Sequence, residues 1–253
     1  MIYKFLPNKI SIPLFGDRKK WGIKTDKNDV DFKDWQANYI KFYEQNQKGI
    51  IGNVVNGFGF KIVANVDFTN KTILEVGPGI IQHTEFGDYR KCKKYWLADI
   101  NISFLDKSKL VLQEHGVNDV EEVLVKELDL SLPDDSVDVI MTFHQLEHIY
   151  YLESYLEELK RVLKPGGLLI GAVPTEGGLA WGFGRFLTSR RYVKNNMSFD
   201  YDKVICWEHP NFIDKIKNLL DAKFERVKQV KKPLGLLPFD LNLSWSFIYK
   251  NTK

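Results

Sequence analysis

A glycine turn followed at fixed intervals by acidic residues is the first candidate for chemistry in this chain. The segment Leu74–Ile81 reads LEVGPGII, an apolar run that meets Gly77 and Gly79. Glycines there let the backbone approach a ligand closely, and a helix that starts beside them directs its N–H groups at the same place. Asp99 ends the next apolar run, twenty residues after Gly79, where a carboxylate is placed to bind both ribose hydroxyls. Asp129 follows a third run, within reach of an adenine edge, so the pattern predicts a nucleoside cofactor.

Two histidines within five residues are the second candidate. His144 and His148 lie in the sequence HQLEH, directly after another apolar run, on the side where an open parallel sheet binds its ligands. A histidine titrates near neutral pH, so either one is a candidate catalytic general base. The alternative is that one packs against a cofactor or a lid and the other caps a helix.

The same pentapeptide matches the H-x-x-E-H pattern of inverted zinc peptidases, in which two histidines one helical turn apart share a metal. A zinc site needs another protein ligand, and the pentapeptide lies within an order of motifs that indicates a different chemistry. We therefore predict no metal site.

Residues 174–211 combine flexible, aromatic and basic residues, as substrate-binding loops on a rigid scaffold do. The candidates for substrate contact are Glu176, Arg185, Arg190, Arg191 and His209, with Trp181 and Phe183 as aromatic neighbours. Arginines clustered with aromatic rings suit a phosphorylated, sugar-bearing or carboxylate acceptor. The alternative is a solvated basic face beside a packed aromatic pair, with His209 capping a helix.

Short apolar runs alternate with amphipathic stretches from residue 72 onward, which is typical of strands buried on both faces and separated by helices. The predicted strands cover 72–76, 95–99, 121–128, 137–143 and 168–173, followed by 224–230 and 243–250. Helices are predicted after the glycine turn, over 151–163, where Pro165-Gly166-Gly167 ends the helix, and after Pro210. This alternation predicts a doubly wound α/β fold with a mostly parallel sheet, and the last two strands, joined without a helix, pair antiparallel.

The first seventy residues lack the alternation of apolar runs and amphipathic stretches, and we predict that they form an N-terminal cap or lid. Residues 71–253 are predicted to form one domain, with an acceptor-binding insertion at about 174–211. A helix is predicted around 32–48, because Trp35, Tyr39, Ile40 and Tyr43 recur at helical spacing. This aromatic stripe indicates core packing, and a lid over a ligand pocket is the alternative. The glycine-rich stretch 49–59 then interrupts the chain.

Composition narrows the class of protein. The 253 residues are 44% hydrophobic and 27% charged, with a formal charge of +3, which is too mild to indicate nucleic acid by itself. Cys92 and Cys206 provide no disulfide framework, so a reducing compartment is expected. The N-terminus does not read as a signal peptide, and no apolar run approaches the ~18 residues of a membrane span. We expect a cytoplasmic protein; the sequence leaves its oligomeric state open.

Taken in order, these motifs resemble the class I S-adenosylmethionine-dependent methyltransferases of the E/D-x-G-x-G group. Glu75, Gly77 and Gly79 match the first motif, Asp99 the ribose-binding acid and Asp129 the adenine-side acid. Three further segments are similar to the loop before the family's fourth strand, the segment after it and the turn before the fifth strand: Ser131–Asp138, Phe143–His148 and Val162–Gly167. The resemblance covers about residues 70–175 well, and Ile81 departs from it where a small residue is usual.

This resemblance implies a Rossmann-like, mostly parallel seven-stranded sheet with an antiparallel C-terminal strand. It also implies that S-adenosylmethionine is the methyl donor and S-adenosylhomocysteine the product. The cofactor-binding residues that it implies are Glu75, Gly77, Gly79, Asp99, Ile100, Asp129, Leu130 and Phe143. The expected acceptor is a small molecule, with a sugar or glycan precursor as the first hypothesis.

Other functions stay open at this stage. An RNA or protein acceptor is disfavoured by the near-balanced charge. A dinucleotide-dependent oxidoreductase would want a third glycine where the chain has Gln82. A binding module that keeps the fold without turnover is a further alternative, since Glu75, Asp99 and Asp129 favour cofactor binding and cannot establish catalysis.

Overall fold

A seven-stranded sheet with the strand order β3-β2-β1-β4-β5-β7-β6 organises the computed structural model. The structure describes residues 1–48, 57–126 and 128–253, and for residues 40–48 it describes the backbone alone. The strands are β1 (Thr72–Val76), β2 (Lys94–Asp99), β3 (Val120–Leu124), β4 (Val137–Phe143), β5 (Leu163–Pro174), β6 (Glu225–Lys232) and β7 (Ser244–Lys250). The first five pair in parallel, and β7 pairs antiparallel with both β5 and β6. The predicted fold class is therefore confirmed, including the antiparallel C-terminal strand.

Helices cover both faces of the sheet and build a layer above its edge. Near the N-terminus these are α1 (Asn8–Phe15), α2 (Arg18–Trp21) and α3 (Val30–Lys48). Within the sheet domain lie α4 (Ile102–Glu114), α5 (Leu152–Val162) and α9 (Ile213–Lys223), and between β5 and α9 lie α6 (Leu179–Leu187), α7 (Ser189–Asn196) and α8 (Tyr201–Glu208). The helices predicted around 32–48, over 151–163 and after Pro210 are thus confirmed.

The helix predicted directly after the glycine turn is wrong. Between β1 and β2, where every residue is described, the chain forms one 3-10 turn at His83–Glu85 and otherwise irregular structure. Ile81 and Tyr89 are buried on either side of it. The segment therefore lies flat against the sheet and uses its side chains, rather than a helical face, to cover the strands.

Two other boundaries differ from the predicted ones. α5 ends at Val162 and β5 begins at the next residue, so Pro165-Gly166-Gly167 lies within the strand and does not end the helix. A shift of register there pairs Val137 with Leu163 but Val139 with Leu168, and the intervening residues form a bulge. β3 ends at Leu124, four residues earlier than predicted.

Alternating strand residues fill a hydrophobic cluster on each face of the sheet. Leu74 and Val76 of β1 belong to one cluster, together with α5 and α9, while Ile73 and Tyr95 belong to the other. Since the central strands β1 and β4 are buried on both faces, they are nearly continuous apolar runs. The sheet is therefore a rigid base whose carboxyl edge carries the loops.

The N-terminal helices and the insertion pack on each other as one helical cap. Trp35 of α3 is buried against Phe199 with a ring separation of 5.6 Å, and the indole N–H of Trp207 donates to the carbonyl of Trp21 at 3.0 Å. Lys203 of α8 forms ion pairs with Asp29 and Asp31.

Part of the aromatic stripe is therefore core packing, as predicted. The side chains of Ile40 and Tyr43, and residues 49–56 of the glycine-rich stretch, lie outside the described residues. Among the helices that the structure describes, none is long and apolar enough to cross a membrane.

Candidate active site

The glycine turn lies at the carboxyl edge of β1, held by backbone and side-chain bonds from the neighbouring elements. Gly77 and Gly79 have φ values of 64° and 56°, in the left-handed region that glycine tolerates best. The Gly77 N–H donates to the carbonyl of Ala98 at 2.8 Å, and the Ser108 hydroxyl donates to the carbonyl of Gly79 at 2.9 Å. A Cβ atom on Gly77 would lie 2.5 Å from Cγ of Gln145. Both conformation and close packing therefore require glycine at position 77.

Asp99 stands directly beside this turn. Its carboxylate accepts the Asn101 N–H at 2.8 Å and is also hydrogen-bonded by the backbone of Gly79 and Ile100. Burial raises the pKa of Asp99 above its ordinary value, and these backbone hydrogen bonds oppose the increase. The Val125 N–H donates to the carbonyl of Asp99 at 2.9 Å, so the chain leaving β3 lies next to it. A carboxylate fixed beside a positive-φ glycine turn fits the ribose end of a nucleoside cofactor.

The other predicted cofactor contacts divide into exposed and buried residues. Ile100 is 77% exposed, and Asp129 is exposed with its carboxylate accepting the Ser131 N–H at 2.7 Å. Leu130 and Phe143 are buried in the clusters on opposite faces of the sheet. The structure shows a packing role for these two, and their contact with a cofactor stays a prediction.

Glu75 lies beneath the glycine turn in a buried network. Its Oε1 is 3.0 Å from Nε2 of His83, and its Oε2 accepts the Tyr95 hydroxyl at 2.5 Å. The Tyr89 hydroxyl lies 2.8 Å from Nδ1 of His83. Oε1 thus anchors the irregular segment after β1 to the sheet through His83, and Oε2 ties β1 to Tyr95 of the neighbouring strand β2. We did not predict this network; the signal was a carboxylate inside an apolar strand, which needs polar partners when buried.

A second cluster gathers three histidines and three glutamates at the same edge of the sheet, under the helical cap. Three elements contribute to this His–Glu cluster: the loop after β4, the chain after β5 and the end of α8. Its members are His144, Glu147, His148, Glu176, Glu208 and His209. Four of these were predicted as catalytic or substrate-binding residues from distant parts of the sequence. Glu147 and Glu208 were missed, although each stands directly before a predicted histidine.

His209 and Glu176 form the most tightly bonded pair of the cluster. Nδ1 of His209 lies 2.5 Å from Oε2 of Glu176, whose side chain is 2% exposed. Burial acts to lower the pKa of His209, but the neighbouring acids, above all the hydrogen-bonded Glu176, outweigh it and raise the pKa above its ordinary value. A histidine oriented by a carboxylate through Nδ1 presents Nε2 for proton transfer.

His148 packs against His209 with ring centroids 4.5 Å apart and nearly perpendicular planes. Its Nδ1 lies 2.7 Å from the carbonyl of Glu208. A carbonyl only accepts, so Nδ1 carries the proton and Nε2 keeps a lone pair. Desolvation by the surrounding groups and the neighbouring His209 lower the pKa of His148 below its ordinary value, although 37% of its side chain stays exposed. His148 is therefore neutral and suited to accept a hydrogen bond.

His144 and Glu147 complete the cluster on its inner side. Nδ1 of His144 lies 3.9 Å from Oε1 of Glu147. Burial and His209 lower the pKa of His144 to about 4, and burial raises the pKa of Glu147 to about 8. Both groups are therefore uncharged near neutral pH. Nε2 of His144 and Oε2 of Glu147 have no hydrogen-bond partner among the described residues, and such buried polar atoms call for a ligand or water.

The predicted arginine cluster does not form a shared anion site. Arg185 is buried and donates to the carbonyls of Leu14 and Pro13 at 2.9 and 2.8 Å. Arg190 pairs with Asp202 at 2.7 Å, and Arg191 is exposed. The first two arginines tie the cap together because folding brings them to backbone carbonyls and a carboxylate.

No group of three or more histidine, cysteine, aspartate or glutamate residues is arranged to hold a metal ion in the described parts of the chain.

The central part of the chain matches a known protein family. Residues 74–171 match the family described as methyltransferase domain, in agreement with the resemblance read from the motifs.

Three known proteins illustrate the relationship. The chain is 37% identical over 78 residues to the ubiquinone/menaquinone biosynthesis C-methyltransferase UbiE of Hahella chejuensis, covering 30% of this chain and 31% of that protein. It is 28% identical over 151 residues to UbiE of Pseudomonas fluorescens, covering 56% and 59%. The N-methyltransferase NodS of Bradyrhizobium japonicum, solved with S-adenosylhomocysteine, has the same fold, with a TM-score of 0.54 at 13% identity over 83% of this chain and 91% of that one. The chain thus spans less than two thirds of the length of these two curated relatives.

Proposed function

Because residues 74–171 match the methyltransferase domain family, we propose that this chain is a class I S-adenosylmethionine-dependent methyltransferase that methylates a small-molecule acceptor at the carboxyl edge of its sheet. The observation that carries the proposal is the His–Glu cluster, which stands at the same edge as the glycine turn. Glu176 and His209, separated by 33 positions in the chain, lie 2.5 Å apart in it. Open α/β sheets bind their ligands at this edge.

The glycine turn and Asp99 are the proposed cofactor-binding residues. Asp99 takes the ribose hydroxyls, the positive-φ backbone of Gly77 and Gly79 lies against the amino-acid portion, and Ile100 and Asp129 border the adenine. Glu75 acts from below, because it fixes the segment that follows the turn. When bound, S-adenosylmethionine supplies an electrophilic methyl group on a sulfonium.

His209 is the proposed general base. As the acceptor's heteroatom takes up the methyl group, its proton leaves the heteroatom and binds Nε2 of His209, and the positive charge is balanced by Glu176. The roles first predicted for His144 and His148 change, because the pKa of each imidazole is lowered and a lowered pKa makes a weaker base. Their imidazoles and the protonated Glu147 carboxyl position the acceptor through hydrogen bonds.

A hydroxyl-bearing acceptor such as a sugar or glycan precursor is consistent with this arrangement. A hydroxyl must lose a proton during methyl transfer, and neighbouring hydroxyls need the kind of neutral donors and acceptors that the cluster provides. An RNA or protein acceptor is the second candidate; the +3 charge over 253 residues does not favour RNA.

Calorimetric titration of the full chain with S-adenosylhomocysteine, and with NAD as comparison, tests the cofactor assignment. We expect micromolar binding of S-adenosylhomocysteine alone. Binding of NAD alone, or of neither compound after any co-purified ligand is removed, would contradict the proposal. Turnover is then measured as homocysteine-coupled product formation with a panel of sugars, in wild type and His209→Gln. We expect kcat to fall about 100-fold or more, with unchanged affinity for S-adenosylhomocysteine.

A further inference from the structure

The connection between β6 and β7, residues 233–243, exposes leucine side chains to a degree that packing within the chain does not explain. Leu236 is 100% exposed, and Leu234, Leu237 and Leu241 are each more than two fifths exposed. Single exposed leucines are ordinary, but four within eight residues concentrate exposed apolar surface on one short loop, as interaction sites do. We refer to residues 233–243 as the leucine loop.

The shape of the leucine loop is fixed from inside by Asn242, which is completely buried. Its Oδ1 accepts the Leu234 N–H at 2.7 Å, and its Nδ2 donates to the carbonyls of Leu237 and Pro238 at 3.2 and 3.0 Å. One amide side chain thus braces both ends of the loop. Because its polar backbone groups are bound on the inside, the leucine side chains are held outward.

Sheet topology places the leucine loop at the edge that carries the active site. Ser244 at the start of β7 pairs with Pro174 at the end of β5. The Thr175 N–H donates to the carbonyl of Leu243 at 3.1 Å, and the Thr175 hydroxyl donates to the carbonyl of Asn242. The next residue is Glu176 of the His–Glu cluster, so the loop and the proposed acceptor site share one segment of backbone.

Two further exposed apolar elements join this edge. The Ile2 N–H donates to Asp240 at 2.8 Å, which brings the N-terminal turn and the exposed Phe5 toward the loop. Gly178, at the start of α6, packs so closely on Asp240 that a Cβ atom there would lie 3.0 Å from its Cα. α6 exposes Phe183 and Leu187 on its outer side.

The charge around the leucine loop identifies the surface that it fits. Residues 226–239 contain Arg226, Lys228, Lys231 and Lys232 and no acidic residue. Lys228 and Lys232 are exposed, while Lys231 lies over the Phe239 ring and donates to the Leu237 carbonyl. The acid within the loop, Asp240, is bound by the Ile2 N–H. Leucines preceded by a run of basic residues match a membrane surface rich in anionic lipid, where the side chains enter the headgroup region and the lysines meet phosphates.

We propose that the leucine loop docks this protein on anionic membranes, and that the acceptor is an amphipathic molecule whose polar head reaches the His–Glu cluster from the lipid surface. The part that concerns the acceptor rests on the proposed function. Docking at the rim of the site would let the hydrocarbon part of the acceptor stay in the bilayer while its hydroxyl approaches His209.

Vesicle flotation tests docking without cofactor or acceptor. The full chain is mixed with vesicles of phosphatidylcholine alone or with 30% phosphatidylglycerol, an anionic lipid that gives the vesicle a negative surface potential. We expect flotation with the anionic vesicles and loss of it at high salt. Leu236→Glu with Leu237→Glu should lower the partition coefficient at least about tenfold, and Lys228→Glu with Lys232→Glu about 25-fold or more.

Matched controls come from exposed residues away from this edge. Leu110→Glu changes a 60% exposed leucine on α4, and Lys91→Glu with Lys93→Glu reverses two exposed charges before β2, at the opposite edge. Both controls should float like wild type, and a thermal melt of each variant checks folding.

Failure of the wild type to float, or equal losses in the controls, would overturn the docking proposal. The same holds if light scattering shows a dimer that the leucine variants dissociate while vesicles bind nothing, because the surface would then contact a second copy. Flotation in a protein that binds no S-adenosylhomocysteine would instead refute the proposed function and leave the docking surface in place.

Discussion

Replacing Glu176 by glutamine tests the electrostatic coupling at the centre of the His–Glu cluster. The substitution keeps the shape of the side chain and removes the charge that faces Nδ1 of His209 at 2.5 Å. The two side chains are 2% and 18% exposed, so solvent screens the pair weakly. A hydrogen bond to a charged group at such a site contributes about 1.5–3 kcal/mol.

One pKa unit corresponds to about 1.4 kcal/mol, so the pKa of His209 should fall by about 1–2 units in Glu176→Gln. The sign follows from which form is lost: the carboxylate stabilises the protonated imidazole, and without it burial favours the neutral form. His209 acts as a base when neutral, so kcat/KM of the wild type should rise with pH through the raised pKa of His209. In the variant this rise should move to lower pH by the same 1–2 units, and the plateau should fall because the ring loses its orientation.

Two measurements follow the change: NMR titration of the histidine ring signals, and the pH profile of kcat/KM. Glu208→Gln is the matched control, because Glu208 also raises the pKa of His209 but is not hydrogen-bonded to its ring; its effect should be smaller. The reasoning fails if the pKa of His209 in Glu176→Gln is equal to or higher than in wild type.

Three further predictions concern the cofactor, the buried acid and the cap. Asp99→Ala should weaken S-adenosylhomocysteine binding about 10–100-fold in calorimetry, with Asp106→Ala on the surface of α4 as control; equal affinities would refute the ribose contact. Glu147 stays protonated in the fold up to pH about 8, whereas the ordinary pKa of a glutamate is 4.5, so stability should fall as the pH rises across this interval, by about 5 kcal/mol at most. A Glu147→Gln variant that keeps this slope in urea melts would contradict the assignment. Arg185→Leu should cost about 2–4 kcal/mol of unfolding free energy, against less than about 0.5 kcal/mol for exposed Arg191→Leu; similar losses would exclude the bracing role.

Local sequence patterns were sufficient to predict the strands and to recognise the motifs in their order along the chain. The residues of β1, from Thr72 to Val76, lie among hydrophobic neighbours on both sides, and a continuous apolar run is the signature of that environment. The glycine turn could be recognised for a similar reason, since the positive φ at Gly77 and Gly79 is a property of the backbone at those positions. Two strands joined without a helix pair antiparallel, so the end of the sheet was also predictable.

The prediction from sequence was wrong where tertiary contacts override the local preference of the chain. The segment after Gly79 was predicted to form a helix, but His83 and Tyr89 bond to the buried Glu75 network instead. An acid inside a strand needs polar partners, and Glu75 finds them in His83 of the following segment and Tyr95 of β2. Nothing in the spacing of these residues shows which of the surrounding elements supplies them.

The chemical character of the site was decided by the tertiary structure alone. The residue types identified His144, His148, Glu176 and His209 as candidates, because imidazoles and carboxylates transfer protons. Which of them is a base depends on burial and on neighbouring charge: the same imidazole has a lowered pKa at His148 and a raised one at His209. Glu176 is separated from His209 by 33 positions in the chain, and the two side chains meet only because β5 and α8 end at the same edge of the sheet. Proton affinity is set by this three-dimensional environment, which a linear spacing of residues does not contain.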